Sequence, residues 1–196
     1  MVLNAKTLRN LEPHTAEKFR KNRKTQEIYI ILDNVLDTYN IGGFFRLADA
    51  IGAKCIYLCG DCATPPNHRI VKASVGTVQL VPWQYRLSAL RAIEEVKSLG
   101  ASVFAVEQSL KSKDYQQVKY KKPSAFVFGN ESYGLSDELL KIVDKTVEIP
   151  MYGYNKSLNV MVAAGLVLYE ALNSFPALPV RPSLLTRPLP CRRAGV

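Results

Sequence analysis

Three segments of this chain carry more polar and glycine residues than their surroundings require, and chemistry would have to come from them. In the first, Asn34 and Asn40 follow an apolar run and Arg46 comes two turns into a helical pattern. Carboxamides can orient a polar ligand, and an arginine can grip a phosphate with its planar fork. The plainer alternative has Asn40 capping the helix and Arg46 solvated. In the second, Gly129 and Gly134 frame a turn that presents the carboxylate of Glu131, and such glycines let backbone amides approach a ligand closely. An ordinary glycine turn would read the same way. In the third, the proline-shaped loop from Ile149 leads through Ser157, Leu158 and Asn159 into an apolar helix, which Ser157 or Asn159 could cap.

Other motifs are incomplete. The segment from Gly129 to Ser136 has the glycine spacing of a phosphate-binding loop, but Leu135 stands where the essential lysine belongs. No G-x-G-x-x-G follows a strand, which argues against an ordinary dinucleotide fold. Cys59 and Cys62 have CxxC spacing, yet no second such pair completes four zinc ligands, and Ala63-Thr64-Pro65-Pro66 offers no helix start for a redox thiol. Reduced packing cysteines are the expectation, with no metal. His14 and His68 sit in polar surroundings without a nucleophile nearby.

The elements that must position these residues follow an α/β alternation. Apolar, β-branched or aromatic runs at Ile28 to Leu32, Cys55 to Cys59, Val78 to Val81, Val103 to Val106, Ala125 to Phe128 and Val147 to Ile149 read as strands. Helical spacing marks Asn40 to Ile51, Leu87 to Leu99, a short segment from a Ser136 cap to about Val143, and Leu158 to Leu172. This pattern argues for a mainly parallel sheet flanked by helices. The last helix has Asn159 and Glu170 as its only strongly polar residues, so it must be buried all round, and a subunit interface is favoured.

A length of 196 residues with 47% hydrophobic and 22% charged content suits one globular domain and excludes dominant disorder. No run reaches the roughly 18 uncharged apolar residues of a bilayer span, and Met1 to Thr25 lacks a signal-peptide core, so a soluble, cytoplasmic protein without membrane contact is expected. The net charge of +9 is unevenly placed. Residues 26–170 balance to zero, residues 1–25 carry seven basic against two acidic side chains, and residues 171–196 carry four arginines and no acid. Two cationic ends on a neutral body suit a polyanion such as nucleic acid, or simply keep the chain soluble. The expected organisation is a basic N-terminal arm over 1–25, a domain over 26–172, and a Pro/Arg-rich, disordered or extended tail over 173–196.

Taken together, the three segments resemble the SpoU class of the SPOUT superfamily of RNA methyltransferases. The likeness runs from about Ile28 to Leu172 and rests on Asn-x5-Arg at Asn40 and Arg46, Gly-Asn-Glu at 129–131, and Ile-Pro-Met followed by Ser-Leu-Asn-Val at 149–160. Lys72-Ala-Ser-Val-Gly-Thr77 is similar to the family's intervening Ser-x-Gly segment. The resemblance implies an α/β fold whose parallel sheet ends in a C-terminal trefoil knot, an exception to unknotted topology. It implies S-adenosylmethionine as cofactor, held by Gly129, Ile149 and Leu158 with Glu107 as a further candidate, and a homodimer formed through the 158–172 helix. It implies methyl transfer to a ribose 2'-hydroxyl of RNA. Arg46 would hold the target nucleotide and its phosphate, Asn40 would orient Arg46 or the ribose, and Glu131, Ser157 and Asn159 would complete the polar network. The chain lacks the separate N-terminal domain of many ribosomal RNA members, which favours transfer RNA as substrate. Ser132 and Met161 depart from the glycine and serine common in the family, and Tyr39 stands at a variable position often held by histidine. The alternative is a non-catalytic RNA-binding protein that keeps the fold.

Overall fold

Ile28–Asp33 is a run of six consecutively buried residues. An alternating pattern would be expected of a strand with one wet face, so continuous burial marks a strand covered on both sides. The computed structural model describes residues 3–175, and this strand, β1, lies near the middle of a seven-stranded sheet. The other strands are β2 (Cys55–Cys59), β3 (Trp83–Arg86), β4 (Ser102–Val106), β5 (Lys113–Asp114), β6 (Ser124–Phe128) and β7 (Lys145–Glu148). Their spatial order is β3-β2-β1-β6-β4-β7-β5, and every pairing is parallel.

Helices cover both faces. On one side α3 (Thr38–Ala50), α4 (His68–Ser74) and α7 (Val160–Asn173) enclose a core with Ile28, Ile30 and Leu32 of β1. On the other, α5 (Ala89–Ser98) and α6 (Asp137–Ile142) pack over Tyr29, Ile31 and Tyr57. Ile41, Phe44 and Phe45 of α3 are fully buried, and each large apolar side chain so placed contributes roughly 1.5–3 kcal/mol. The helix that carries Asn40 and Arg46 is therefore anchored firmly.

The strand order creates a crevice. From β1 the chain steps outward through β2 to β3, then α5 carries it back across to β4, and β6 enters between β1 and β4. Leu32, Phe128 and Val106 stand level at the carboxyl ends of these three strands. Where strand progression reverses, the loops that follow neighbouring strands diverge and leave room for a ligand.

Several expectations change. Val78 to Val81 is not a strand; Thr77–Gln79 forms a 3-10 turn, and the edge strand follows at Trp83–Arg86. Val75 and Gly76 are both left-handed, at φ 55° and 89°, which turns the chain sharply as α4 ends. The apolar run then fills the core from a turn, with Val81 buried. Helix α4 was not foreseen, because seven residues give too little periodicity; Asn67 caps it by accepting from Arg69 N at 2.9 Å. The basic N-terminal segment forms two helices, α1 (Ala5–Arg9) and α2 (Pro13–Lys21), the latter with proline in its first turn. Arg20 donates to Gln79 O at 2.8 Å and Arg23 to Ala48 O at 2.6 Å, so part of this basic charge docks the segment onto the body. The tail expected beyond Leu172 lies outside the described residues from 176 onward. Among the described residues no helix is long and apolar enough to cross a membrane.

Helices α3 and α4 meet at Gly42, where a Cβ would sit 2.5 Å from Ala73 Cβ and 2.8 Å from the backbone oxygen of Ile70. Since neither backbone can yield cheaply, Gly42→Ala is expected to lower stability by about 1–3 kcal/mol, measured as a shift of the chemical denaturation midpoint.

Candidate active site

Asp37, not Asn40, caps α3: its carboxylate accepts from Tyr39 N at 2.7 Å. Asn40 lies inside the helix with only 8% of its surface exposed, so its polar atoms need protein partners. They find them far away in sequence. Asn40 Nδ2 donates to Glu131 Oε1 at 2.9 Å, and Asn40 Oδ1 accepts from Asn159 Nδ2 at 3.2 Å. Glu131 also accepts from the backbone N–H groups of Leu36 and Asp37, at 3.3 and 3.4 Å. Asn159 in turn caps α7, accepting from Met161 N at 2.9 Å. Capping and site-building, posed as alternatives by the sequence, are carried out by one residue with its two amide atoms.

The turn after β6 is built to present Glu131. Asn130 Oδ1 accepts from Ser132 N and Tyr133 N at 2.8 and 3.1 Å, and Gly134 N closes back on Asn130 O at 2.9 Å. Such side-chain-to-backbone bonds are the usual device by which asparagine makes a turn. A Cβ on Gly129 would come within 2.6 Å of Gly134, so the first glycine serves the closure of the turn itself. Gly134 has φ 67°, and a Cβ there would strike Glu107 Oε2 at 2.3 Å. Glu107 uses its carboxylate to clamp two loops, accepting from Gln108 N and Leu135 N, both at 3.0 Å.

These parts border a cleft of about 480 Å³. Gly129, Ile149, Leu158 and Glu107 line it, as do Glu131, Ser157 and Asn159. Seven of the nine residues singled out in the sequence thus share one wall, and Asn40 joins them through its bonds. Arg46 stands apart: it is exposed on α3 and makes no hydrogen bond or ion pair among the described residues. Asn40 gives its bonds to Glu131 and Asn159, and the expected contact with Arg46 is not among them. Met161 packs against Gly43, where a Cβ would lie 3.1 Å from its side chain, so this departure from the family pattern fills space between α7 and α3.

Three further amide residues build the site; the sequence assigned no role to Asn34 or Asn130 and did not mark Gln108 at all. Asn130 shapes the turn, Gln108 ties the cleft's rim together by donating to Lys156 O at 2.9 Å, and Asn34 links loops. Asn34 adopts φ 52°, accepts from Asp61 N at 3.0 Å and receives the Asn130 amide on its backbone oxygen at 2.9 Å. The only sequence signal for these roles was amide side chains following apolar strands.

Residues 27–169 match the SpoU rRNA Methylase family. The tRNA (guanosine(18)-2'-O)-methyltransferase of Aquifex aeolicus is 33% identical over 150 residues, which cover 76% of this chain and 70% of that protein. A 23S rRNA (guanosine-2'-O-)-methyltransferase of Ralstonia nicotianae is 30% identical over 154 residues, 79% of this chain and 61% of the relative. Among solved structures, the AdoMet-bound rRNA methyltransferase from Sinorhizobium meliloti superposes with a TM-score of 0.73 at 32% identity, covering 87% of this chain and 61% of that one.

The described cysteines lie outside this cleft. Cys55, Cys59 and Cys62 are free and buried, and Cys62 Sγ points to Leu32 O at 3.5 Å. Among the described residues no group of three His, Cys, Asp or Glu side chains is placed to hold a metal ion. Burial pushes the Cys62 thiol up to about 11 and the Cys55 thiol to about 12, and raises Cys59 as well. A raised thiol pKa means the unreactive protonated form prevails at pH 8. In a Cys191→Ser chain, the folded protein is therefore expected to show no rapid reaction with a disulfide reagent at pH 8, while the denatured protein titrates three thiols.

Proposed function

Because this chain belongs to the SpoU rRNA methylase family, we propose that it methylates a ribose 2'-hydroxyl of RNA with S-adenosylmethionine as donor, transfer RNA being favoured over ribosomal RNA. The observation that carries this reading is the bonded chain Glu131, Asn40, Asn159 at the border of a cleft shared with Gly129, Ile149, Leu158 and Glu107. Relatives named for both RNA classes support the chemistry, and the transfer RNA relative is matched over the larger share of its length.

The cleft fits the cofactor in size and charge. About 480 Å³ lies within the roughly 300–1,000 Å³ usual for such sites. Glu107, Glu131 and Glu148 line it against Lys156 alone, an excess of negative charge that suits a cationic ligand. S-adenosylmethionine supplies a methyl group activated by its sulfonium. Gly129, Ile149 and Leu158 bring backbone and apolar surface to the cleft, and Glu107 keeps the loops after β4 and β6 at a fixed spacing. Glu131 is held by three donors, so its position does not depend on substrate. Asn40 keeps α3 in register with that turn, and Ser157 offers a hydroxyl at the cleft wall.

Arg46 takes the phosphate of the target nucleotide. Its exposure, and the lack of a partner for it among the described residues, suit a group that waits for an anion. A guanidinium is always protonated in proteins, so the 2'-hydroxyl proton passes to a substrate phosphate oxygen while Arg46 steadies the charge. Replacing Arg46 by Ala is expected to slow single-turnover methylation of bound RNA by about 10²-fold, with Lys only partly restoring it, and near-normal rates in both variants would overturn the assignment. The first measurement is methyl incorporation into total RNA followed by mapping of the modified nucleotide.

The same reading includes the trefoil knot and the homodimer. Support for the knot comes from the segments 129–134 and 149–160, which flank β7 and both contribute residues to the wall of one cleft. Support for the dimer comes from α7 and its entry, where Leu158, Val162, Leu166 and Tyr169 form a stripe at helical spacing, each 38–51% exposed. An apolar stripe of this kind is expected to be covered by a second copy. Val162→Lys with Leu166→Lys should convert the protein to a monomer in sedimentation velocity and reduce methyl transfer.

A further inference from the structure

A second depression, of about 390 Å³, opens between the loop that leaves the carboxyl end of β2 and the edge strand β3, and is lined by Gly60, Asp61, Cys62, Thr64, Trp83 and Tyr85. Asn34 connects it to the cleft. Its side-chain oxygen accepts from Asp61 N at 3.0 Å, and its backbone oxygen accepts from Asn130, whose turn presents Glu131. The approach is close enough that a Cβ on Gly60 would meet Asn34 Oδ1 at 2.2 Å.

The lining has a definite chemistry. Trp83 and Tyr85 are alternate residues of the edge strand and share one face of the sheet. Trp83 packs half-buried against the core, while Tyr85, 41% exposed, is tethered through its hydroxyl to Gly60 O at 3.1 Å. Both rings are thus held in place before any ligand arrives. Asp61 is exposed, and its carboxylate has no hydrogen bond or ion pair among the described residues. No lysine or arginine lines the depression, and the adjacent Arg86 is committed to Glu95 at 2.6 and 2.8 Å. A carboxylate without a cation repels phosphate. Aromatic faces beside it suit a neutral heterocycle that stacks and donates N–H groups.

We infer that this depression is a subsite for an unpaired guanine of the RNA strand, flanking the methylated nucleotide, with Asp61 accepting from the two adjacent donors of its Watson–Crick edge. The inference rests on the RNA methyltransferase reading. Guanine is chosen because it alone of the four bases offers two neighbouring N–H donors to one carboxylate, and the base must be unpaired for that edge to be open. Through Asn34 and Asn130, occupancy here would be felt at the turn that carries Glu131.

Trp83 is the chain's single tryptophan, so its emission reports this site directly. Titrating the full chain with a single-stranded RNA oligonucleotide containing guanine should quench Trp83 saturably, after correction for absorbance. An oligonucleotide with uracil at the guanine positions should bind about tenfold more weakly. S-adenosylmethionine alone should leave the emission unchanged. Asp61→Asn, at an exposed side chain whose carboxylate makes no bond among the described residues, should erase the preference for guanine, and Tyr85→Leu should weaken binding of both RNAs. Labelled RNA that binds and is methylated while Trp83 stays silent, or a guanine preference unchanged in Asp61→Asn, would overturn the subsite alone. Failure of the wild-type chain to bind or methylate any RNA would instead overturn the functional reading, and the subsite with it.

Discussion

One side-chain hydrogen bond, from Asn40 Nδ2 to Glu131 Oε1 at 2.9 Å, joins residues 91 positions apart in the chain. It fastens the helix that follows β1 to the turn that follows β6. Because Asn40 is nearly enclosed, losing the acceptor would strand an amide away from water, at a cost of about 1–3 kcal/mol. The carboxylate is equally committed, since two backbone N–H groups of the β1 loop also point to it. Through Asn159 the same network reaches the start of α7, 119 positions from Asn40. Three separate stretches of chain therefore behave as one polar unit, and the cleft wall has the shape this unit imposes.

The sheet makes that bond possible. Parallel pairing brings the carboxyl ends of β1, β6 and β4 level, so the loops that follow them rise side by side. Each loop is then stiffened by a different local device. The loop after β1 passes through Asn34 in a left-handed conformation, which asparagine tolerates better than most residues. The turn after β6 is closed by two glycines and an asparagine, and the loop after β4 is fastened to it by Glu107. Rigid loops of this kind suit a site that must hold donor and acceptor in alignment, because small misplacements are costly in rate.

Charge is divided according to use. The cleft carries an excess of carboxylates, the second depression has one carboxylate together with two aromatic rings, and Arg46 stands exposed on α3 without a partner among the described residues. In the N-terminal segment Arg20 and Arg23 bind backbone carbonyls of the body, whereas Lys6, Arg9, Lys18 and Lys24 remain exposed to solvent. The segment is thus both a docked structural element and a basic surface. A net charge alone could not distinguish those roles, because a guanidinium that binds a carbonyl and one that waits for a phosphate count equally.

Much of the architecture was legible in the residues themselves. The central strands could be read from continuous apolar runs and the long helices from their spacing, since both signals are local. The edge strand Trp83–Arg86 was not legible, because Gln84 and Arg86 interrupt its apolar character and a turn just before it carries the stronger hydrophobic signal. Site residues were identifiable by type, as amides, carboxylates and an arginine placed after strands, and their family likeness added roles. Only the tertiary structure decided that Asp37 caps α3 and so frees Asn40 for Glu131 and Asn159, and that Arg46 stands outside this network. Sequence determines which groups are available and which local conformations they favour. Their meeting depends on β6 entering the sheet between β1 and β4, a contact between distant segments that no local pattern encodes.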